Sequence, residues 1–317
     1  METLLTTTSL LSLIILITIR GVVASTFTIT NNCGYTVWPG LLSSAGTAPL
    51  ETTGFVLNPG ESRAVNAPAA WSGRIWGRSF CSNDPSSGRF TCATGDCGSG
   101  TVECSGGGAV PPTSLAEFTL AGSGNNDFYD VSLVDGYNLP MVVIPQGGAG
   151  PNCAPTGCLV DLNAACPTDL KVVTSGTGSD GVACKSACEA FALPQYCCSG
   201  DYATPNKCTP SSYSQFFKNA CPRAYSYAYD DATSTFTCVT GTAAYQITFC
   251  PSTSSLKSSN INQTATGLPL VNNSVVLLSG NGEPTSHAIR LNQPDISISV
   301  VVLLTVITCL STVLHKL

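Results

Sequence analysis

Apolar and polar residues alternate with a period of two at both ends of a long central stretch. Phe27 and Ile29 are interleaved with Thr26, Thr28 and Thr30, and Tyr245, Ile247 and Phe249 repeat the spacing. A pleated backbone sends successive side chains to opposite faces, so each run predicts a half-buried strand. Helical spacing is confined to the middle of the chain. Asp180 to Phe191 sets Cys184 and Cys188 four residues apart on one predicted helical face, and Ser211 predicts the N-cap of a short helix carrying Phe216, Phe217 and Ala220. The central stretch, residues 25–251, therefore reads as mainly β, with loops and short helices inserted.

Two apolar runs fall outside this pattern. Leu10 to Ile19 has the length of a signal-peptide core and is followed by Val22-Val-Ala24-Ser25, whose small residues suit cleavage after Ala24 or Ser25. Residues 1–24 are accordingly excluded from the fold, an uncleaved anchor being the alternative. Ile296 to Leu314 is a nineteen-residue stretch without charge, long enough to cross a bilayer as a helix, and only His315, Lys316 and Leu317 follow it. A spanning helix usually carries a basic cluster on its cytoplasmic side, and one lysine is a weak one. Small residues at Ser279-Gly-Asn-Gly282, a polar spacer and the terminal apolar run of residues 295–317 match a glycosylphosphatidylinositol signal instead, which is the preferred reading. Residues 252–294 hold twelve Ser or Thr, six Asn and no aromatic residue, the composition of a stalk rather than a second domain. The sequons at Asn262 and Asn272 are its candidate glycosylation sites.

Cysteine usage changes the picture most. Of seventeen cysteines, sixteen lie between Cys33 and Cys250, and Cys309 sits alone in the apolar tail. An even, dense set behind a leader describes an oxidised, secreted domain held by disulfides, with connectivity left open by composition. Both histidines, His287 and His315, lie outside the domain, which removes histidine-based triads and histidine metal sites from it. Paired thiols leave no cysteine nucleophile or zinc ligand. No phosphate-cradling or dinucleotide motif is present, so no cofactor and no metal are expected. Residues 25–251 carry sixteen Asp or Glu against nine Lys or Arg, a formal net of −7, which argues against nucleic acid and against anionic membrane surfaces as partners.

The local motifs are specific. Gly88-Arg-Phe-Thr-Cys92-Ala-Thr-Gly-Asp96-Cys97 is accompanied by Asn31-Asn-Cys33-Gly-Tyr-Thr-Val-Trp38, Arg74-Ile-Trp-Gly-Arg78 and Pro111-Pro-Thr-Ser-Leu-Ala-Glu-Phe118. Asp130-Val-Ser-Leu-Val-Asp-Gly136, Gln195-Tyr-Cys-Cys198 and Phe249-Cys250-Pro251 complete the set. In this order they resemble the thaumatin-like family, a plant pathogenesis-related group, across residues 26–251. Ser79-Phe80 departs from it, standing where many members have a threonine and a polar or small residue. The resemblance implies a thaumatin-like β-sandwich with a disulfide-rich module of loops and short helices and a small disulfide loop module. It implies the pairs Cys33 with Cys250, Cys81 with Cys92, Cys97 with Cys104, and Cys153 with Cys238. It further implies Cys158 with Cys221, Cys166 with Cys184, Cys188 with Cys197, and Cys198 with Cys208.

With histidine and thiol chemistry removed, carboxylates remain, and glycosidic hydrolysis needs two of them: an acid for the leaving oxygen and a nucleophile or base opposite. The resemblance implies a cleft formed by Arg74, Glu117, Asp130, Asp135 and Asp230, all of which are present. Glu117 is the candidate acid, raised by its neighbours Asp130 and Asp135, and Asp135 is the candidate base or nucleophile. Arg74, Asp130 and Asp230 are read as substrate-binding, with Asp231 beside Asp230 able to share its role. Asp96, between tight glycine turns, reads as an acceptor of backbone N–H bonds. Trp38, Trp71 and Trp76 fall in strand patterns and read as core.

Three functions compete at this point. The resemblance implies a defence protein whose acidic cleft holds β-1,3-glucan, with weak endo-β-1,3-glucanase and antifungal activity. A membrane-perturbing antifungal protein is disfavoured by the negative charge. A non-enzymatic interaction module, either an inhibitor of foreign glycanases or a developmental wall protein, suits a chain anchored to its own cell surface. The expected partners are a wall polysaccharide or a foreign glycanase, and the membrane through the tail. The chain is expected to be a monomer on the extracellular face of the plasma membrane or in the apoplast.

Overall fold

A computed structural model of the chain describes residues 23–174 and 181–252. The leader up to residue 22, the stalk with Asn262 and Asn272, and the apolar tail with Cys309 lie outside the described residues. Among those described, no helix is long and apolar enough to cross a membrane.

Two sheets form a sandwich. The first contains β1 (Val23–Asn31), β3 (Ser62–Pro68), β8 (Met141–Gln146), β9 (Thr156–Cys158) and β13 (Ala244–Phe249), in the order β3-β1-β13-β8-β9. The two terminal runs with period two are neighbours here: β1 and β13 pair in parallel, Phe27 opposite Tyr245, Ile29 opposite Ile247 and Asn31 opposite Phe249. Their apolar members are fully buried, and Cys33 is bonded to Cys250 just beyond the paired ends. β1 includes two residues assigned to the leader, and its unbroken pairing with β3 begins at Ser25 opposite Ala67.

The second sheet runs β12 (Phe236–Val239), β7 (Asn126–Ser132), β6 (Leu115–Gly122), β4 (Ser72–Asn83) and β2 (Trp38–Ser43), with β5 (Phe90–Thr94) paired to β4. Phe27, Trp71, Phe118, Tyr129 and Tyr245 interlock between the layers, with centroids of Phe27 and Phe118 4.6 Å apart and those of Tyr129 and Tyr245 5.1 Å apart. Edge-on and tilted contacts of this kind add to the area the rings bury. The face of this sheet turned away from the core is covered at one end by the Cys97–Cys104 loop, which packs on buried Trp76 and Leu115. Beneath that loop, Arg78 is fully buried, donating to the carbonyls of Trp38, Pro39 and Val102.

The third part is a disulfide-rich module built from short pieces: the ribbon β10 (Lys171–Val172) with β11 (Ala183–Cys184), then α1 (Ala187–Phe191), α2 (Pro194–Cys197), α3 (Ser212–Ala220) and α4 (Asp231–Ser234). The eight disulfides pair as the resemblance implied. Ser211 caps α3 as expected, its Oγ accepting from the Ser214 N–H at 3.1 Å. The helix expected from Asp180 to Phe191 is corrected. Cys184 is extended because its N–H and C=O are both engaged by Tyr137, at 2.7 and 2.8 Å, and the helix begins only after Ser186, whose hydroxyl accepts from Glu189 N–H. Cys184 and Cys188 thus lie on different elements and point to different partners, Cys166 and Cys197.

Candidate functional site

The candidate residues are assembled by strand register. On β4, β6 and β7 the residues facing the core alternate with a second set that faces outward, and across these three strands Arg74 lies opposite Glu117 and Glu117 opposite Asp130. Directly opposite positions bring side chains on one face within contact range. Three charged residues far apart in the chain therefore form one row. Arg74 Nε approaches Glu117 Oε1 at 3.9 Å, with the two side chains 41% and 37% exposed. The row lines a hollow of about 140 Å³ whose other walls include Ser44, Ser72 and Phe128.

Burial sets the electrostatics of this row. It raises the Glu117 carboxyl above its ordinary value; the Arg74 charge opposes that shift and Asp135 adds to it. Asp130 is pushed well above the ordinary aspartate range, first by burial and then by Glu117 and Asp231. Its Oδ2 is buried with no hydrogen-bond partner. Desolvation thus leads at both positions, with neighbouring charges second, and both carboxyls of the row are harder to ionise than exposed ones.

Asp135 follows β7 in a loop laid against the disulfide-rich module. Its carbonyl accepts from Thr113 N–H at 2.9 Å, and Gly136 beside it has φ +83°, where an added Cβ would stand 2.8 Å from the Cys184 carbonyl oxygen. Only glycine permits that conformation together with that approach. Asp230 is held differently from the row. Its carboxylate pairs with Lys218 Nζ at 2.9 Å and accepts from Ser226 N–H and Oγ, while Tyr225 donates to the adjacent Asp231 at 2.8 Å. Of these two aspartates, Asp231 is the one whose charge reaches Asp130. Asp96 accepts from the N–H groups of Cys92 and Gly98, each at 2.6 Å, the turn role expected of it. Trp71 and Trp76 are fully buried and Trp38 half-buried.

Sequence reasoning passed over Glu189. It stands three residues after Ser186, the spacing of a capping box, and this reads as helix capping alone. The structure sets it within electrostatic reach of Asp135. Among the described residues, no group of three or more His, Cys, Asp or Glu could hold a metal ion.

The sequence profile of the thaumatin family matches residues 31–251, the sandwich from the end of β1 onward and both disulfide modules. The chain belongs to the thaumatin family. Thaumatin-like protein 1 of Arabidopsis thaliana is 59% identical over 234 residues, covering 72% of this chain and 86% of the relative. A glucan endo-1,3-beta-glucosidase of Prunus avium is 53% identical over 233 residues, covering 73% and 92%. The PR5-like receptor kinase of Arabidopsis thaliana is 55% identical over 234 residues, 74% of this chain, and this chain spans only 35% of that protein. In this thaumatin-family domain, a guanidinium, a partly exposed carboxyl and a buried carboxyl share one wall, with further carboxyls on adjoining loops.

Proposed function

We propose that this thaumatin-family protein is a cell-surface defence protein whose acidic cleft binds β-1,3-glucan and hydrolyses it weakly. The observation carrying this reading is the Arg74, Glu117 and Asp130 row, in which burial raises two carboxyls beside a guanidinium at the edge of an open hollow. Glu117 serves as the acid and Asp135 as base or nucleophile, while Arg74, Asp130 and Asp230 bind or orient the sugar chain. The named activity of the Prunus avium relative supports the substrate class. Neutral glucan also suits a domain whose net negative charge repels anionic polymers.

The test is turnover and binding of the purified chain on laminarin, a β-1,3-glucan. Glu117→Gln and Asp135→Asn are near-isosteric and should each lower turnover by about 100-fold or more, the scale of a lost general acid or base, with affinity retained. A wild-type chain that binds but never cleaves makes the cleft a lectin-like site. One that neither binds nor cleaves any β-glucan overturns the carbohydrate reading in favour of a protein partner. The glycosylphosphatidylinositol anchor predicts release from cells by a phosphatidylinositol-specific phospholipase. Retention in the membrane pellet with Lys316 detectable by mass spectrometry would establish a spanning helix instead.

A further inference from the structure

Phe80 departs from the family pattern, and the cleft makes no use of it. On β4, Ser79 lies opposite Thr94 and Cys81 opposite Cys92, with the Ser79 and Thr94 hydroxyls 2.7 Å apart and the two cysteines bonded. Phe80 is pinned between them at φ +53°, a region that bulky residues rarely enter. Strain that the surrounding structure holds in place marks a candidate functional position. The Phe80 ring stacks on Tyr35, with centroids 5.6 Å apart and planes 21° from parallel. Phe80 is 51% exposed and Tyr35 38%. Among the described residues, no other ring pair leaves both members exposed.

The chain leaves the domain beside these rings. Cys250 donates its N–H to the Pro140 carbonyl at 2.8 Å, is bonded to Cys33 and has φ +49°, and Pro251 after it is buried. Cys250 Sγ lies 3.9 Å from the Tyr35 hydroxyl, and Asn31 Nδ2 fixes the Tyr35 segment by donating to its carbonyl at 2.8 Å. The described chain ends at Ser252, so everything that follows starts next to the rings. Within residues 252–294, rich in Ser, Thr and Asn, there is one run of four aliphatic residues, Val275-Val-Leu-Leu278. Both readings of the tail retain it, because the small residues of the anchor signal come after it, at Ser279 to Gly282.

We propose that the Tyr35–Phe80 ring pair is the docking site for the chain's own Val275–Leu278 segment. Aliphatic side chains laid on the open ring faces remove apolar surface from water on both partners. Twenty-two residues, 253–274, separate the segment from Ser252. A coil of that many residues spans about 25 Å root-mean-square, ample for a site that adjoins the exit. Tethering of this kind sets an effective concentration in the millimolar range, so a contact too weak for a free peptide forms within the chain. Docking covers the exposed rings and closes residues 253–274 into a loop, so that the tether beyond Leu278 begins at the domain surface. It depends neither on what the cleft binds nor on how the tail is held.

The full chain on the membranes of expressing cells provides the test. With the photoreactive p-benzoylphenylalanine in place of Phe80, illumination should crosslink position 80 to the peptide containing Val275–Leu278 of the same chain. Val276→Asp with Leu277→Asp should abolish that product while leaving the domain unaltered. In the purified full chain, hydrogen exchange at residues 275–278 should be about tenfold slower in the wild type than in Phe80→Gly, which removes the ring and puts at φ +53° a residue that adopts it freely. Leu193→Ala, at another exposed apolar residue on the disulfide-rich module, should leave that exchange unchanged. A crosslink to lipid, to wall polysaccharide, to a second copy or to another protein in place of residues 275–278 overturns the proposal and names the true occupant. Equal exchange at residues 275–278 in the wild type and Phe80→Gly overturns it too, as does protection that Leu193→Ala removes equally.

Discussion

Asp130 is the residue at which burial and charge are most at odds, with a buried, unpartnered Oδ2 and a carboxyl held well above its ordinary value. A carboxyl raised by folding stabilises fully below its unfolded value, near pH 4, and that stabilisation is lost as pH rises through the folded value. Asp130→Asn removes the titration. Its thermal midpoint should match wild type at pH 3 and exceed it at pH 7 by about 3 °C or more, because each unit by which folding raises the carboxyl costs the wild type about 1.4 kcal/mol once the unfolded chain can ionise. Scanning calorimetry at the two pH values checks this, and equal midpoints at pH 7 contradict it. The same residue shows what was legible beforehand. Its membership of a cleft came from motif resemblance, and Asp96 could be assigned to a turn because its glycine neighbours are adjacent in sequence. The degree to which Asp130 resists ionisation depends on strands that pack over it from elsewhere. Asp230 and Asp231 were indistinguishable as neighbours until Lys218, Ser226 and Tyr225 divided them.

At the scale of elements, the local signals that succeeded were those in which the backbone had no competing partner. Ser211 caps one of the four N–H groups that open the helix without an intrahelical partner, that of Ser214, and α3 then buries Phe217 and Ala220. Ser211→Ala should cost about 1 kcal/mol and lower the thermal midpoint by about 3 °C, whereas Ser211→Asp, another good cap, should restore it. Loss of stability in both variants would assign Ser211 a role other than capping. The stretch from Asp180 to Phe191 shows the opposite case. Its 3.6 spacing is real, but Cys184 is drawn into β-type pairing with Tyr137 and tied to Cys166, so helix forms only from Ala187. A long-range partner outbid local periodicity there.

For the whole molecule, the disulfides differ in what they restrain. Cys33 and Cys250 close a loop spanning 217 positions, and Cys97 and Cys104 one spanning 7. Loop entropy assigns about 5 kcal/mol to the first and about 2 kcal/mol to the second. Paired serine substitutions followed by denaturant unfolding should therefore show the Cys33–Cys250 deletion to be the more destabilising, and the reverse order would mean that native packing outweighs chain restriction. Sequence alone determined the alternation of the terminal strands, the oxidised framework and the removal of histidine and thiol chemistry, because each follows from residue identity or near-neighbour spacing. Only tertiary structure decided that Arg74, Glu117 and Asp130 form a row and that desolvation leads the shifts of Glu117 and Asp130. Strand register and burial are set by contacts between segments tens of residues apart, and a period-two pattern records which face a side chain takes but not which strand lies beside it.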